Sequence, residues 1–185
     1  MINKKGAIEL SMTTIVVLVI AMAMLILGLV LVKTIFTGAK YNVDQLNKNV
    51  EAEINKLFSD TTEKIAVYLP NKQAEVSKGK TFGVAFGVKN TEQLSVTNSQ
   101  FKVEVITDAG GIERGCTITP AQANNFVSLI EGGTSFQIIP GDVHYGAVHF
   151  RIPDTSPLCQ ISYTIKITKD NQIYTTDFFN IQITG

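Results

Sequence analysis

The chain has no tryptophan, only two histidines and only two cysteines among its 185 residues. His144 and His149 stand five apart in a stretch of alternating hydrophobicity. On a strand they face opposite sides, so they do not converge on one metal ion or one reacting group. Neither cysteine belongs to a CxxC pair, which leaves a zinc site short of ligands. No Ser, Thr or Cys has a histidine and a carboxylate at a readable spacing, and the Gly-Gly pairs fall between strands instead of cradling a phosphate. Asn-x-Ser/Thr sequons are absent, so glycosylation at that acceptor is not expected. Acidic and basic residues balance to a formal charge of zero, which leaves no electrostatic footprint for nucleic acid. The sequence thus offers no catalytic, cofactor-binding or metal-binding residue and no evident small-molecule substrate.

Charge is also missing from one long stretch. Residues 10–32 contain no Asp, Glu, Lys or Arg. As a helix rising 1.5 Å per residue they span about 34 Å, enough for a hydrocarbon core of about 30 Å. A single segment in lipid satisfies its backbone only as a helix, so membrane lipid is an expected partner. Lys4 and Lys5 precede the run, and Lys33 and Lys40 follow it. The short leader, the pair of cysteines and the strand-rich remainder point to a single pass with the N-terminus cytoplasmic and the C-terminal part extracytoplasmic. Thr14, Ala21 and Gly28 recur every seventh residue and place small side chains on one stripe, where helices approach closely in lipid.

Ahead of the run stand Lys4-Lys5-Gly6-Ala7 and then Glu9. This pattern, continued by the apolar helix, resembles the class III signal of archaeal type IV pilins and archaellins over residues 1–35. The resemblance implies peptidase cleavage between Gly6 and Ala7, with Glu9 as an assembly residue. Glu9 would be third in the processed chain, where the family places its glutamate fifth. A carboxylate in a first helical turn is also favoured by the helix dipole alone, and the leader could equally remain as an uncleaved anchor.

Beyond Lys33 the pattern turns amphipathic. Val43, Leu46, Val50, Ile54, Leu57 and Phe58 recur at intervals of three and four, with charged and amide side chains between them. That is the signature of a helix with one buried face. With no proline before Pro70, one nearly continuous helix is expected from about residue 8 to about 62. From residue 65 the period becomes two. Phe82/Val84/Phe86/Val88, Phe101/Val103/Val105, Val148/Phe150/Ile152, Ile161/Tyr163/Ile165/Ile167 and Phe179/Ile181/Ile183 alternate with small or polar residues. Each set reads as a strand with one buried face, and Gly-, Asp- and Asn-rich turns separate them. Seven to nine such strands fit an immunoglobulin-like antiparallel β-sandwich, without the Cys-Trp-Cys core of antibody domains. Cys116 and Cys159 are expected to form a disulfide there, closing a loop of about 43 residues for about 4 kcal/mol in the chain-entropy model.

The expected organisation is a leader at 1–6, a long helix at 7–64 and an extracytoplasmic β-sandwich at 65–185, together a membrane-anchored α+β chain. A fragment starting at 67 is expected to fold alone. Two functions follow. In one, the chain is a structural subunit of a pilus-like or archaellum-like surface filament, self-associating or bound to other pilus and envelope proteins. In the other, it is a single-pass β-sandwich envelope protein, a stator-like or partner-binding module. Neither is an enzyme.

Overall fold

The computed structural model describes residues 14–28, 43, 45–58, 62–92 and 99–185. The chain divides into two compact units, Met1–Thr37 and Gly38–Gly185. In the first unit, residues 14–28 form a helix, α1. The second unit holds all the strands.

Among the described residues nine strands build two sheets. β1 (Ile65–Tyr68), β3 (Thr81–Lys89), β7 (Val143–Arg151) and β5 (Val127–Glu131) form one, in the spatial order β1-β3-β7-β5. β2 (Gln73–Ser77), β9 (Gln172–Thr184), β8 (Gln160–Lys169), β4 (Gln100–Ile106) and β6 (Ser135–Gln137) form the other, in the order β2-β9-β8-β4-β6. The sheets face each other as a β-sandwich. Its core consists of the alternating residues read from the sequence: Phe86, Phe101, Phe150, Tyr163 and Phe179 are fully buried, with the Ile and Val side chains around them. Phe150, Tyr163 and Phe179 pack mutually at centroid separations of 4.8, 5.7 and 5.9 Å. These aromatics supply the large apolar area that the missing tryptophan would otherwise bring.

One pairing departs from the all-antiparallel expectation. β2 runs parallel to β9, with Gln73 opposite Asn180 and Ser77 opposite Thr184. The chain leaves β1 through a single 3-10 turn, Pro70–Lys72, in which Asn71 and Lys72 adopt positive φ. That turn carries the chain from one sheet to the other, and β2 lands beside the last strand in the same direction.

The continuous helix expected over residues 8–62 is also not what forms. Residues 43 and 45–47 are not helical, and α2 begins at Lys48 and ends at Phe58. The cause is Asn47. Its side-chain oxygen accepts from the backbone N–H groups of Asn49 and Val50 at 3.0 and 3.1 Å, and its carbonyl accepts from Glu51 N–H. An Asn in this role satisfies the orphan donors of a helix start and fixes the boundary.

The apolar face of α2 is covered as well. Ile54 and Phe58 are buried against the outer face of the β1-β3-β7 region, together with Val43, Ala66, Ala85 and Ala147. β3 makes this possible. Its inner row is Phe82, Val84, Phe86 and Val88; its outer row is Gly83, Ala85 and Gly87. A Cβ on Gly87 would lie 2.5 Å from Ile54 Cγ2 and 2.8 Å from Phe58 Cε2, and one on Gly83 would lie 1.9 Å from the Val43 carbonyl oxygen. Burying Ile54 and Phe58 contributes about 1.5–3 kcal/mol each. The compact unit therefore starts before the boundary expected at residue 65.

Cys116 and Cys159 are bridged, with Cα atoms 5.8 Å apart. The bridge ties the loop after β4 to the start of β8. Beside it Glu113 accepts from Gln160 N–H through its carboxylate at 2.7 Å, and its own N–H donates to the Gln160 carbonyl.

Two outcomes test this second core. A fragment of residues 43–185 is expected to melt cooperatively, whereas one of 67–185 bares the Ala85–Ala147 face and aggregates or fails to give dispersed NMR signals. In the longer fragment, Gly87→Val overpacks the helix contact by about 2 kcal/mol and lowers the melting temperature by roughly 4–8 °C. An unchanged midpoint would show that α2 is not held there.

Candidate functional site

No polar group interrupts α1 after its first residue, Thr14. Every large apolar side chain from Ile15 to Leu27 is 51–69% exposed, on all sides of the helix. A helix that is apolar all round belongs inside something. Thr14, Ala21 and Gly28 lie on one side of it, since seven residues advance a helix by nearly two full turns. All three are exposed, and nothing stands within 4 Å of a Cβ built on Gly28. Residues 14–28 span about 22 Å, and among the described residues no helix is long and apolar enough to cross a membrane. The rest of the uncharged run, 10–13 and 29–32, lies outside the described residues. So do Gly6, Ala7 and Glu9.

The second unit presents the approach to α2, which the sequence did not single out. Val43 N–H donates to Gly83 O at 3.0 Å. The Glu131 carboxylate accepts from Leu46 N–H, both oxygens at 3.3 Å, and pairs with His149 Nε2 at 3.2 Å. Tyr145 donates its hydroxyl to Asn55 Oδ1 at 2.6 Å. β7 thus supplies two polar anchors and β5 one, all on the outer face where the segment enters α2. The one readable signal was the small row Gly83–Ala85–Gly87 opposite a row of Phe and Val.

The histidines face opposite sides of β7. His149 pairs with Glu131 on the outer face. His144 stacks on Phe136 of the facing sheet, with centroids 3.7 Å apart and planes 11° from parallel. Its Nε2 is buried without a partner in hydrogen-bond geometry. Burial pushes the His144 pKa below its ordinary value, opposed by the Gly132 backbone. Among the described residues no group of three or more His, Cys, Asp or Glu side chains converges as a metal would require. Tyr163, buried in the core, donates to Ala123 O at 2.7 Å, and burial raises its pKa far above the usual phenol value.

No protein-family model matches this chain, and no curated protein does. Solved structures with partial likeness include a family 123 glycoside hydrolase from Clostridium perfringens, at 11% identity and TM-score 0.40 over 60% of this chain. This chain spans only 22% of that enzyme's length. PapD-like domain 7 of human CEP192 is 12% identical, with TM-score 0.36, over 77% of this chain and 94% of that one. The GspB Siglec domain is 14% identical, with TM-score 0.37, over 67% and 59%. At TM-scores below 0.5 these likenesses carry no argument about function.

The position of His144 generates a pH prediction. With its folded pKa depressed, the unfolded chain takes up the proton first. Stability present above about pH 6.5 is then lost as pH falls through the lower folded value. Melting curves of the 43–185 fragment at pH 7.5 and pH 5.5 should show this loss, and His144→Phe, which keeps the ring stack, should reduce it. The difference between parent and variant isolates His144 from the Glu131–His149 pair. Identical acid sensitivity in both would rule His144 out.

Proposed function

We propose that this chain is an anchored structural subunit of a surface filament resembling the archaeal type IV pilins and archaellins. Its apolar helix is buried in lipid before assembly and among other copies afterwards, and its immunoglobulin-like sandwich is displayed outside. The observation that carries the reading is α1 itself. Its apolar side chains stand more than half exposed in every direction, and each Leu, Ile or Val left in water forgoes about 1.5–3 kcal/mol of burial. Only an apolar surround on all sides recovers this, and a bilayer or a helix bundle provides one. Bridged Cys116 and Cys159 support an oxidising location for the sandwich. The motif Lys4-Lys5-Gly6-Ala7 supports processing before assembly.

One observation favours the alternative, a membrane-anchored envelope module that does not polymerise. The stripe of α2 is already used against its own sheet, so it offers no long helical ridge to neighbours. Filament packing then rests on α1 and on the outer surface of the sandwich.

The Glu9 carboxylate separates the two readings. At the head of a helix buried among copies, an isolated carboxylate costs several kcal/mol unless a cation pairs with it. The α-amino group freed by cleavage before Ala7 is the natural partner. The filament reading expects native material to lack residues 1–6 by intact mass and to appear in the sheared surface fraction. It also expects Glu9→Gln to abolish the sheared fraction while leaving membrane content unchanged. An intact leader, with equal behaviour of Glu9→Gln and parent, supports the anchor. Recovery of the native protein in the aqueous cell fraction, unassembled, would overturn both.

A further inference from the structure

One end of the sandwich carries a recess of about 400 Å³ between two loop walls. The first wall runs from Thr117 to Phe126 and contains the short helix α3 (Pro120–Asn124); the second runs from Pro153 to Pro157. Both walls are built rigidly. Thr119 and Gln122 form a capping box at the start of α3. Tyr163 reaches from the core to Ala123 O, and Arg151 N–H donates to Phe126 O at 2.8 Å. Asn124 exchanges hydrogen bonds with the Thr107 backbone at 2.7 and 3.1 Å. The opposite wall is a turn closed by Ser156 N–H to Pro153 O at 3.1 Å. The Cys116–Cys159 bridge sits where both walls leave the sandwich, one residue before Thr117 and two after Pro157. Such a site loses little entropy on binding.

The chemistry of the lining is specific. No Lys, Arg, His, Asp or Glu lines the recess, so no side-chain charge there selects a phosphate, a carboxylate or a metal ion. Its polar side chains are Thr117, Gln122, Asn125, Thr155 and Ser156, all hydroxyls and amides. The capping box occupies the Gln122 side-chain oxygen and leaves its NH₂ group to donate. Ser156 is 93% buried by its 7% exposure, and its Oγ has no hydrogen-bond partner. That oxygen is itself closed off from solvent, so the exposed hydroxyls and amides of Thr117, Gln122, Asn125 and Thr155 are the groups that a ligand reaches. Beside these groups Pro153 and Pro157 offer apolar surface, while Ile118 and Phe126 are themselves buried in the core.

We propose that this recess binds an uncharged sugar residue. A pyranose ring has an apolar C–H face, suited to the Pro153 and Pro157 rings, and an edge of vicinal hydroxyls that both donate and accept. Amides and hydroxyls match such an edge because they too donate and accept. The volume lies at the small end of ligand sites, about 300–1,000 Å³, and fits a single ring with its immediate substituent. The inference does not depend on the environment of α1, because every lining residue lies in the second unit.

The test uses the full chain in phosphocholine micelles, since detergents with maltoside head groups would themselves fill the site. A panel of methyl glucoside, methyl mannoside, methyl galactoside, N-acetylglucosamine and glucuronate is titrated by saturation-transfer NMR. At least one neutral sugar should bind saturably at millimolar concentration, and glucuronate should not bind more tightly than its neutral counterpart. Asn125→Ala and Thr155→Ala should each weaken binding roughly three- to tenfold, the loss of one hydrogen bond. Their melting temperatures should stay at or above that of the parent, and Thr176→Ala, outside the recess, should bind as the parent does. No saturable signal from any neutral sugar, unchanged affinity in both recess variants, or binding of an uncharged proline-rich peptide in place of every sugar would overturn the proposal.

Discussion

The two-sidedness of β3 is the constraint on which the second unit depends. One face of that strand presents Phe82, Val84, Phe86 and Val88 to the facing sheet, and the other presents almost nothing beyond backbone and the Ala85 methyl. Because successive side chains alternate sides, a single nine-residue segment sets two packing distances. The bulky row fixes the spacing of the sandwich. The bare row lets a helix approach until its Ile54 and Phe58 touch the strand itself. Exchanging the two rows would close the sandwich on glycine and hold the helix away on phenylalanine, and neither core would fill.

The strands were legible because their information is local. Alternation of apolar and polar residues states which side is wet, and the buried rows of β4, β7, β8 and β9 are the ones the alternation named. The Cys116–Cys159 bridge followed from the pairing of two isolated cysteines, and the opposite orientation of His144 and His149 from the parity of their spacing. The helical stripe was legible as a stripe but not as a docked one, because a periodic apolar face does not say what covers it. Reading Gly83, Ala85 and Gly87 as a row, and not as weak strand formers, would have named the acceptor surface. Asn47 carried its own signal, an Asn immediately before a periodic segment, yet it read equally well as one more polar residue on the wet face.

Other features were out of reach for a different reason. The parallel pairing of β2 with β9 joins segments separated by most of the chain, and composition is silent on it. The recess is assembled from two loops that share no motif; each alone is an ordinary turn region rich in Thr, Pro and Asn. Glu131 reads as a turn-flanking acid, and only the fold brings it to both His149 and the Leu46 amide.

The covalent link at the end of the sandwich has a mechanical meaning when the domain is pulled from its two ends. Residues 116 and 159 are separated by 43 positions, and the closed loop contains β5, β6 and β7. Under tension the pull passes directly across the sulfur–sulfur bond and bypasses that loop. About 145 Å of contour length cannot be paid out, whichever strands around the loop give way. Pulled from its ends, the second unit would therefore extend only through the segments outside residues 116–159, with the bridged part acting as an inextensible ring.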